Sequence, residues 1–560
     1  MTRRYKLLLA IACLANISAF ACRAVSGWHS FIQPDGKFLT LMLCGDEHYF
    51  FYRDPAGTLY KQDRADSFCV MTEQESAREA KSAAARRSSL WQKSALSQWD
   101  AGKTYRQLVV LVSFRDLNFS MDDPQAYYQR LFNEHGYNER HGAGGVADYF
   151  RDQSKGMFNV QFDVCGPVKV SANARSGNGT STNYGRSVFS EALNRLSAIQ
   201  PSADYSSYDW DGDGTLEQVV IVYAGYAGNQ PGLTSYIWPN TGTLSTVTLS
   251  DGHLAERYSA SGEQWSNKAL CGIGTICHEY SHCLGLPDIY PTSSSVSYPS
   301  VVDEWDIMDD GNVSDLGWCP PNYSPLEKIL LGWTEPVELN DDASISGLES
   351  ASDGGTVYQV RHTDNEYYLI ENRQWQGWDM ALPGKGLLVW HVNYNPIYWM
   401  NNMVNNEDGK PNYHLVSADN LTYTDWVRLY NSRGGGNPYA DKAAKLHKCI
   451  MSTASYPWQT DSTSFVNDCL TDSSLPASIM YNTNAKGLCF LSKPITNISQ
   501  NDDGTVSFTF HTSNDPSAIT NRVSSPFDNI IFDLYGNRII STSKLHRGIY
   551  IINGKKRIIF

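Results

Sequence analysis

Hydrophobic and polar positions change rhythm several times along this chain. Leu7 to Phe20 is an apolar run behind Arg3, Arg4 and Lys6, too short to span a bilayer comfortably. Ala19-Phe20-Ala21 then offers a small-x-small cleavage site, so residues 1–21 read as a signal peptide. Cys22 follows directly. Phe20 fits a lipobox poorly, which favours ordinary cleavage near Ala21. Phe38 to Phe51 alternates like strands between turns at Asp35-Gly36 and Asp54-Pro55-Ala56-Gly57. From Thr72 to about Ala101 the composition shifts to Ala, Ser, Arg, Lys and Gln, with a dibasic pair at Arg86-Arg87. Residues 22–101 therefore read as a prosegment.

A second regime begins near Gly102. Gln107 to Phe114 is almost continuously apolar, as a strand buried on both faces should be. The spacing predicts helices over 123–135, 146–154 and 187–199, and strands over 158–170 and 218–227. Strands alternating with helices predict an α/β sheet. Tyr323 to Trp333 reads as a helix with Ser324 as N-cap and Pro325 at its first position, closing a unit at 102–334. Beyond it the pattern turns to β. Tyr367–Arg373 and Gly386–Val392 are strand-like, and Asp502-Asp503-Gly504 is a hairpin signal before Val506–Phe510. The predicted fold is therefore α+β and multidomain. An α/β unit is followed by a β-sandwich-like unit at 335–514, then a polar linker and a small β tail at 515–560.

The chemistry concentrates in Thr275–Tyr290, which contains H-E-x-x-H-x-x-G-x-x-D. Residues four apart share a helix face, so His278 and His282 can offer two imidazole nitrogens to one tetrahedral Zn²⁺. Glu279 lies beside the first ligand without needing to ligate, where a general base for a water belongs. Gly285 can turn the chain sharply because it accepts positive φ, which would bring Asp288 back as an oxygen ligand. Glu304 is the alternative third ligand, with Asp288 then orienting a neighbour. Met308, in Trp305-Asp306-Ile307-Met308, sits where a Met-turn would support such a site. Tyr323 is a candidate oxyanion stabiliser. In the prosegment, Gly45-Asp46-Glu47 is either a latency plug for the metal or an ordinary surface turn. His391 reads as a core histidine.

A second cluster, Asp209, Asp211, Asp213 and Glu217 around Gly212 and Gly214, alternates carboxylates like the first part of an EF-hand loop. Its final Glu comes too early for a true EF-hand. The expected ion is Ca²⁺, against the alternative of a solvated acidic turn. The chain has 560 residues, 41% hydrophobic, a formal net charge of −14 and 12 cysteines. That charge argues against a nucleic-acid partner, and no later stretch suits a transmembrane span. An exported chain can form disulfides. Cys277 and Cys283 are expected to bridge rather than ligate.

On these residues the chain resembles secreted zinc peptidases of the immune inhibitor A family, within the metzincin-like zincins. The resemblance covers most of 102–512. It rests on His278–Asp288, Trp305–Met308, the Asp209–Glu217 loop and Tyr368–Arg373. It implies a zincin-type catalytic domain, one catalytic zinc, structural calcium, protein or peptide substrates and synthesis as a zymogen. The tail, Asp533–Gly536 and Gly548–Lys556, resembles the sorting domain of Bacteroidetes cargo exported by the type IX system. That implies an extracellular or surface-attached protein whose tail meets secretion machinery. Two other classes stay open: a calcium-dependent surface adhesion protein on a peptidase scaffold, and a zinc hydrolase of another bond. An intact Glu279 counts against the first, since a binder has no use for a base.

Overall fold

The computed structural model describes residues 19–21, 24, 28–45, 49–62, 67–72, 74–76, 78, 99–138, 142–176, 182–293, 300–425, 451–459 and 466–513, and the strands 531–533, 538–539, 548–552 and 555–559. Thr104–Ser113, buried from Leu108 onward, lies inside a six-stranded sheet. It pairs in parallel with Asn159–Lys169 on one side and with Val219–Tyr226 on the other. Val219–Tyr226 pairs in parallel with Leu254–Gln264, which forms an antiparallel hairpin with Asn240–Thr248. This hairpin was not anticipated, although Asp251-Gly252 at its turn is a hairpin signal. Its outer strand, Asn240–Thr248, pairs with a short antiparallel segment, Ala19–Ala21. The apolar run of the parallel strands follows from their position: both faces of the sheet are covered. The helices Pro124–Asn133, Val146–Gln153 and Thr182–Ile199 pack on it.

A five-stranded sheet follows, ordered Val337–Glu338, Tyr358–Arg361, Glu366–Arg373, Gly386–Asn393, Tyr413–Leu415. Its two long strands present opposite faces to two cores, by strict period-two alternation. Leu369, Leu388, Trp390 and Val392 join the cluster that contains the first sheet and the H-E-x-x-H helix. Tyr368, Ile370, Leu387 and Val389 face a three-stranded sheet through Leu348, Ile495, Val506, Phe508 and Phe510. This is a two-layer β unit whose inner layer is shared with the α/β unit. Arg373 pins the junction. Fully buried, it donates from Nε and Nη2 to Asp379 (2.7 and 2.6 Å), from Nη1 to Glu371 (3.1 Å) and from Nη2 to the Asn322 carbonyl (3.0 Å).

The segment ahead of residue 72 forms a five-stranded antiparallel sheet, from Trp28–Ile32 to Phe68–Val70. It docks beside the approach to the outer strand Asn240–Thr248. Phe50 stacks on Trp238 at 5.3 Å, the Gly232 N–H donates to the Tyr52 hydroxyl, and Thr234 Oγ1 donates to Gln62. The tail strands form a four-stranded antiparallel sheet, ordered Arg538–Ile539, Ile531–Asp533, Gly548–Ile552, Lys555–Ile559. Among the described residues, no helix is long and apolar enough to cross a membrane.

Neither Cys277 nor Cys283, expected to take part in bridges with partners left open, is in a disulfide. Both cysteines lie within the helix Gly274–Leu284 and are buried as free thiols. Six residues apart, they sit well over a turn from each other along the axis, beyond disulfide reach. Burial pushes both thiols up, Cys283 to about 12. Cys165, Cys271, Cys319, Cys469 and Cys489 are also free thiols, and Cys449 lies outside the described residues.

The junction yields the first prediction. Arg373→Met removes one buried charge and strands Asp379 and Glu371. It should cost about 3–5 kcal/mol, read as a lowered midpoint in urea denaturation. A midpoint equal to that of the parent chain would show that Arg373 does not pin the two units.

Candidate metal centre

The helix Gly274–Leu284 is buried along its whole length. Gly274 opens it where an added Cβ would lie 2.1 Å from the Asn312 carbonyl oxygen, so a side chain there would displace the helix start. Gly285 closes it with φ +110°, a left-handed C-cap, and its N–H donates to the His282 carbonyl. The chain then reverses, and Asp288 comes back under the helix. His278 Nε2 and His282 Nε2 each lie 3.3 Å from Asp288 Oδ1. These three residues form one of the groups in the described chain able to hold a metal ion.

The opposite atom of each ligand is tied down. His278 Nδ1–H donates to the Ile307 carbonyl (2.8 Å), and His282 Nδ1–H donates to the Leu286 carbonyl (2.7 Å). Those bonds leave both Nε2 atoms as lone-pair donors toward Asp288 Oδ1. Asp288 Oδ2 accepts from Asn402 Nδ2 at 2.7 Å. His278 Nε2 and Asp288 Oδ1 are buried with no hydrogen bond. Two lone-pair nitrogens and one carboxylate oxygen, converged and buried, suit a divalent cation such as zinc. Burial raises the Asp288 carboxyl, and it is protonation of His282 and His278 that would bring the group below the usual carboxylate range.

The turn carrying Ile307 is held by its own acid. The Met308 N–H donates to Asp306 Oδ1 (2.7 Å), and the N–H groups of Asp309 and Gly311 donate to the Asp306 carbonyl. The Met308 carbonyl accepts from Ile289, next to Asp288, and the Met308 side chain is fully buried. The turn thus reaches His278 and the neighbour of Asp288 through its backbone carbonyls. Glu327, which caps the helix Pro325–Leu330 at Ser324, sits against Asp306. Burial and that neighbour push it well above the usual range.

Glu279 is fully buried on the motif helix. Thr241 Oγ1, on the outer strand, lies 2.6 Å from the Glu279 carbonyl oxygen and 2.9 Å from Oε2. No sequence signal marked Thr241, because the hairpin that carries it was not anticipated. The strand pairing Ala19↔Gly242, Phe20↔Thr241 and Ala21↔Asn240 runs directly past this contact. An extended segment therefore already lies antiparallel on the edge beside Glu279.

Two expected residues stand elsewhere. Tyr323 is fully buried, packed against Tyr149 and Trp333, and its hydroxyl bonds Ser281 Oγ, which donates to the Cys277 carbonyl. It braces the helix instead of offering a donor to a substrate oxygen. Glu304 accepts from Ser314 Oγ (3.1 Å) and does not join the two histidines, so the trio closes on Asp288. His391 is a core residue bonded to Glu366 at 2.8 Å.

In the acidic loop, carboxylates of Asp209, Asp211 and Glu217 converge, while Asp213 does not join them. Asp209 accepts backbone N–H bonds from Gly212, Asp213 and Gly214, and Glu217 accepts from Trp210. Gly45 ends a strand with φ +98°, and Asp46 and Glu47, the expected latency plug, lie outside the described residues.

Residues 94–325 match the profile described as immune inhibitor A peptidase M6, catalytic domain. Over 315 residues the chain is 26% identical to the pre-pro-metalloprotease PrtV of Vibrio cholerae serotype O1, covering 47% of this chain and 33% of that protein. Over 301 residues it is 24% identical to immune inhibitor A of Bacillus thuringiensis subsp. alesti, covering 44% of this chain and 43% of that one. The chain thus spans less than half the length of these relatives. The matched segment contains His278, Glu279, His282 and Asp288 and every strand of the six-stranded sheet except Ala19–Ala21. Residues 94–325 are, by both likeness and site geometry, similar to the catalytic domain of the immune inhibitor A metallopeptidases.

Proposed function

We propose that this chain is a secreted, zinc-dependent endopeptidase that hydrolyses peptide bonds in extracellular proteins. One observation carries the reading: the convergence of His278 Nε2, His282 Nε2 and Asp288 Oδ1 beside Glu279, with the opposite atom of each ligand already hydrogen-bonded. Zinc held there supplies Lewis-acid polarisation of a peptide carbonyl and acidification of water. The rest falls to the chain's own groups. Glu279 accepts a proton from the attacking water and passes it to the leaving amine. Thr241, bonded to Glu279, restrains that carboxylate. The outer strand Asn240–Thr248 receives an extended substrate by strand addition, in the manner in which it pairs with Ala19–Ala21.

The remaining parts of the reading are coupled to this centre. Residues 1–21 direct export. The N-terminal sheet, docked on Trp238 and Gly232 beside the outer strand, belongs to a latent precursor. The Asp209–Glu217 loop takes a structural Ca²⁺. The four-stranded tail is recognised by secretion machinery.

Three outcomes are expected. Glu279→Ala should retain zinc and lose casein cleavage, whereas His278→Ala should lose both; full turnover in Glu279→Ala at equal zinc content would sink the assignment. Thr241→Val removes a hydrogen bond to a charged group worth roughly 1.5–3 kcal/mol, so kcat/KM should fall on the order of 10–100-fold at unchanged zinc content. Calcium at a hundred times its Kd should raise stability by about 2.7 kcal/mol, seen as a Tm increase that Asp211→Asn abolishes. A Tm indifferent to calcium would leave the loop a solvated turn.

A further inference from the structure

Asp288, the proposed third metal ligand, is held by a residue from the C-terminal β unit. Asn402 lies 114 residues beyond Asp288, in the loop after the short helix Pro396–Met400. It grips Asp288 at two points. Its Nδ2 donates to Asp288 Oδ2 at 2.7 Å, and its Oδ1 accepts the Asp288 backbone N–H at 2.7 Å. An amide alone supplies a donor and an acceptor side by side in this way. An aspartate there would set oxygen against the Asp288 carboxylate.

The grip is built in from the surrounding loop. Asn402 is 3% exposed and adopts φ +51°, a left-handed conformation that asparagine tolerates. Its carbonyl accepts from Thr292 Oγ1, and Asn406 Oδ1 accepts the N–H groups of Thr292 and Ser293. Asn405 donates to the Ile289 and Tyr413 carbonyls and accepts the Tyr413 N–H. Asn402 to Asn406 thus stitch the stretch Asp288–Ser293 to Tyr413, the start of the edge strand of the five-stranded sheet. The loop lies outside the matched segment 94–325.

We propose that Asn402 is a positioning residue for the metal. By occupying Asp288 Oδ2 it orients Oδ1 alone toward the two imidazoles, so the C-terminal β unit completes the coordination geometry of the α/β unit. This inference rests on the metallopeptidase reading of the trio. An outer hydrogen-bond partner of a metal ligand typically contributes 10–100-fold to metal affinity.

The test is made on the full chain. Asn402→Gly keeps the left-handed backbone and removes the amide. Asn402→Ser is too short to reach both Asp288 atoms. Zinc affinity is measured by chelator competition, and the visible spectrum of the Co²⁺-substituted protein reports the ligand field. Both variants should bind zinc about 10–100-fold more weakly with a changed Co²⁺ spectrum, while circular dichroism stays that of the parent. Unchanged affinity and spectrum would overturn the proposal, and so would loss of the fold in both variants, which would make Asn402 a scaffold residue. Asp288→Ala runs alongside. If it binds zinc like the parent, or the parent binds none, the metal reading itself fails, and that result is distinct from a failure of Asn402.

Discussion

The geometry of this protein's centre depends on hydrogen bonds made by the atoms that face away from it. Two imidazoles and a carboxylate meet in a buried interior, where an unpaired polar group is expensive. They can be held there because each has a second polar atom engaged: His278 with the Ile307 carbonyl, His282 with the Leu286 carbonyl, Asp288 with Asn402. The same bonds choose the tautomer, leaving Nε2 of both histidines as acceptors.

Those outer partners come from four separate places: the turn after the motif helix, the Met308 turn, the hairpin carrying Thr241 and the loop holding Asn402. Holding them in register requires the two units to behave as one body. The continuous apolar cluster from the six-stranded sheet to Trp390 and Val392, together with the fully buried Arg373, supplies that rigidity. The paired alternation of Tyr368, Leu369 and Ile370, and of Leu387, Leu388 and Val389, lets one sheet serve two cores. The outer strand Asn240–Thr248 keeps an edge that accepts an extended chain beside Glu279. The buried Glu279 and the strand paired with Ala19–Ala21 are thus brought together by a single hairpin.

Much of the fold was legible locally. The buried strand at 107–114, the helices around 124–133 and 146–153, the capped helix after Ser324 and the paired strands at 366–373 and 386–393 follow from periodicity, caps and turn residues. The hairpin at 240–264 was missed because its strands are rich in Ser, Thr, Gly and Ala, without strong apolar alternation. The expected bridging of Cys277 and Cys283 is absent: both are buried as free thiols on one helix, too far apart along its axis to pair with each other. Tyr323 has the right chemistry for an oxyanion donor, but its hydroxyl is taken by Ser281.

The sequence by itself determined the helix that carries His278, Glu279 and His282, the reversal at Gly285 and the return of Asp288. All of these lie within eleven residues, where helical periodicity and one residue able to adopt positive φ fix the geometry. Only the tertiary structure decided what stands behind them. Thr241 is 38 residues from Glu279 and Asn402 is 114 residues from Asp288, and each meets its partner through the polar atoms of one side chain. Contacts of that separation leave no periodicity in the chain. They exist because packed sheets bring distant loops to within hydrogen-bond distance of one another, and no local pattern of residues encodes which loops those are.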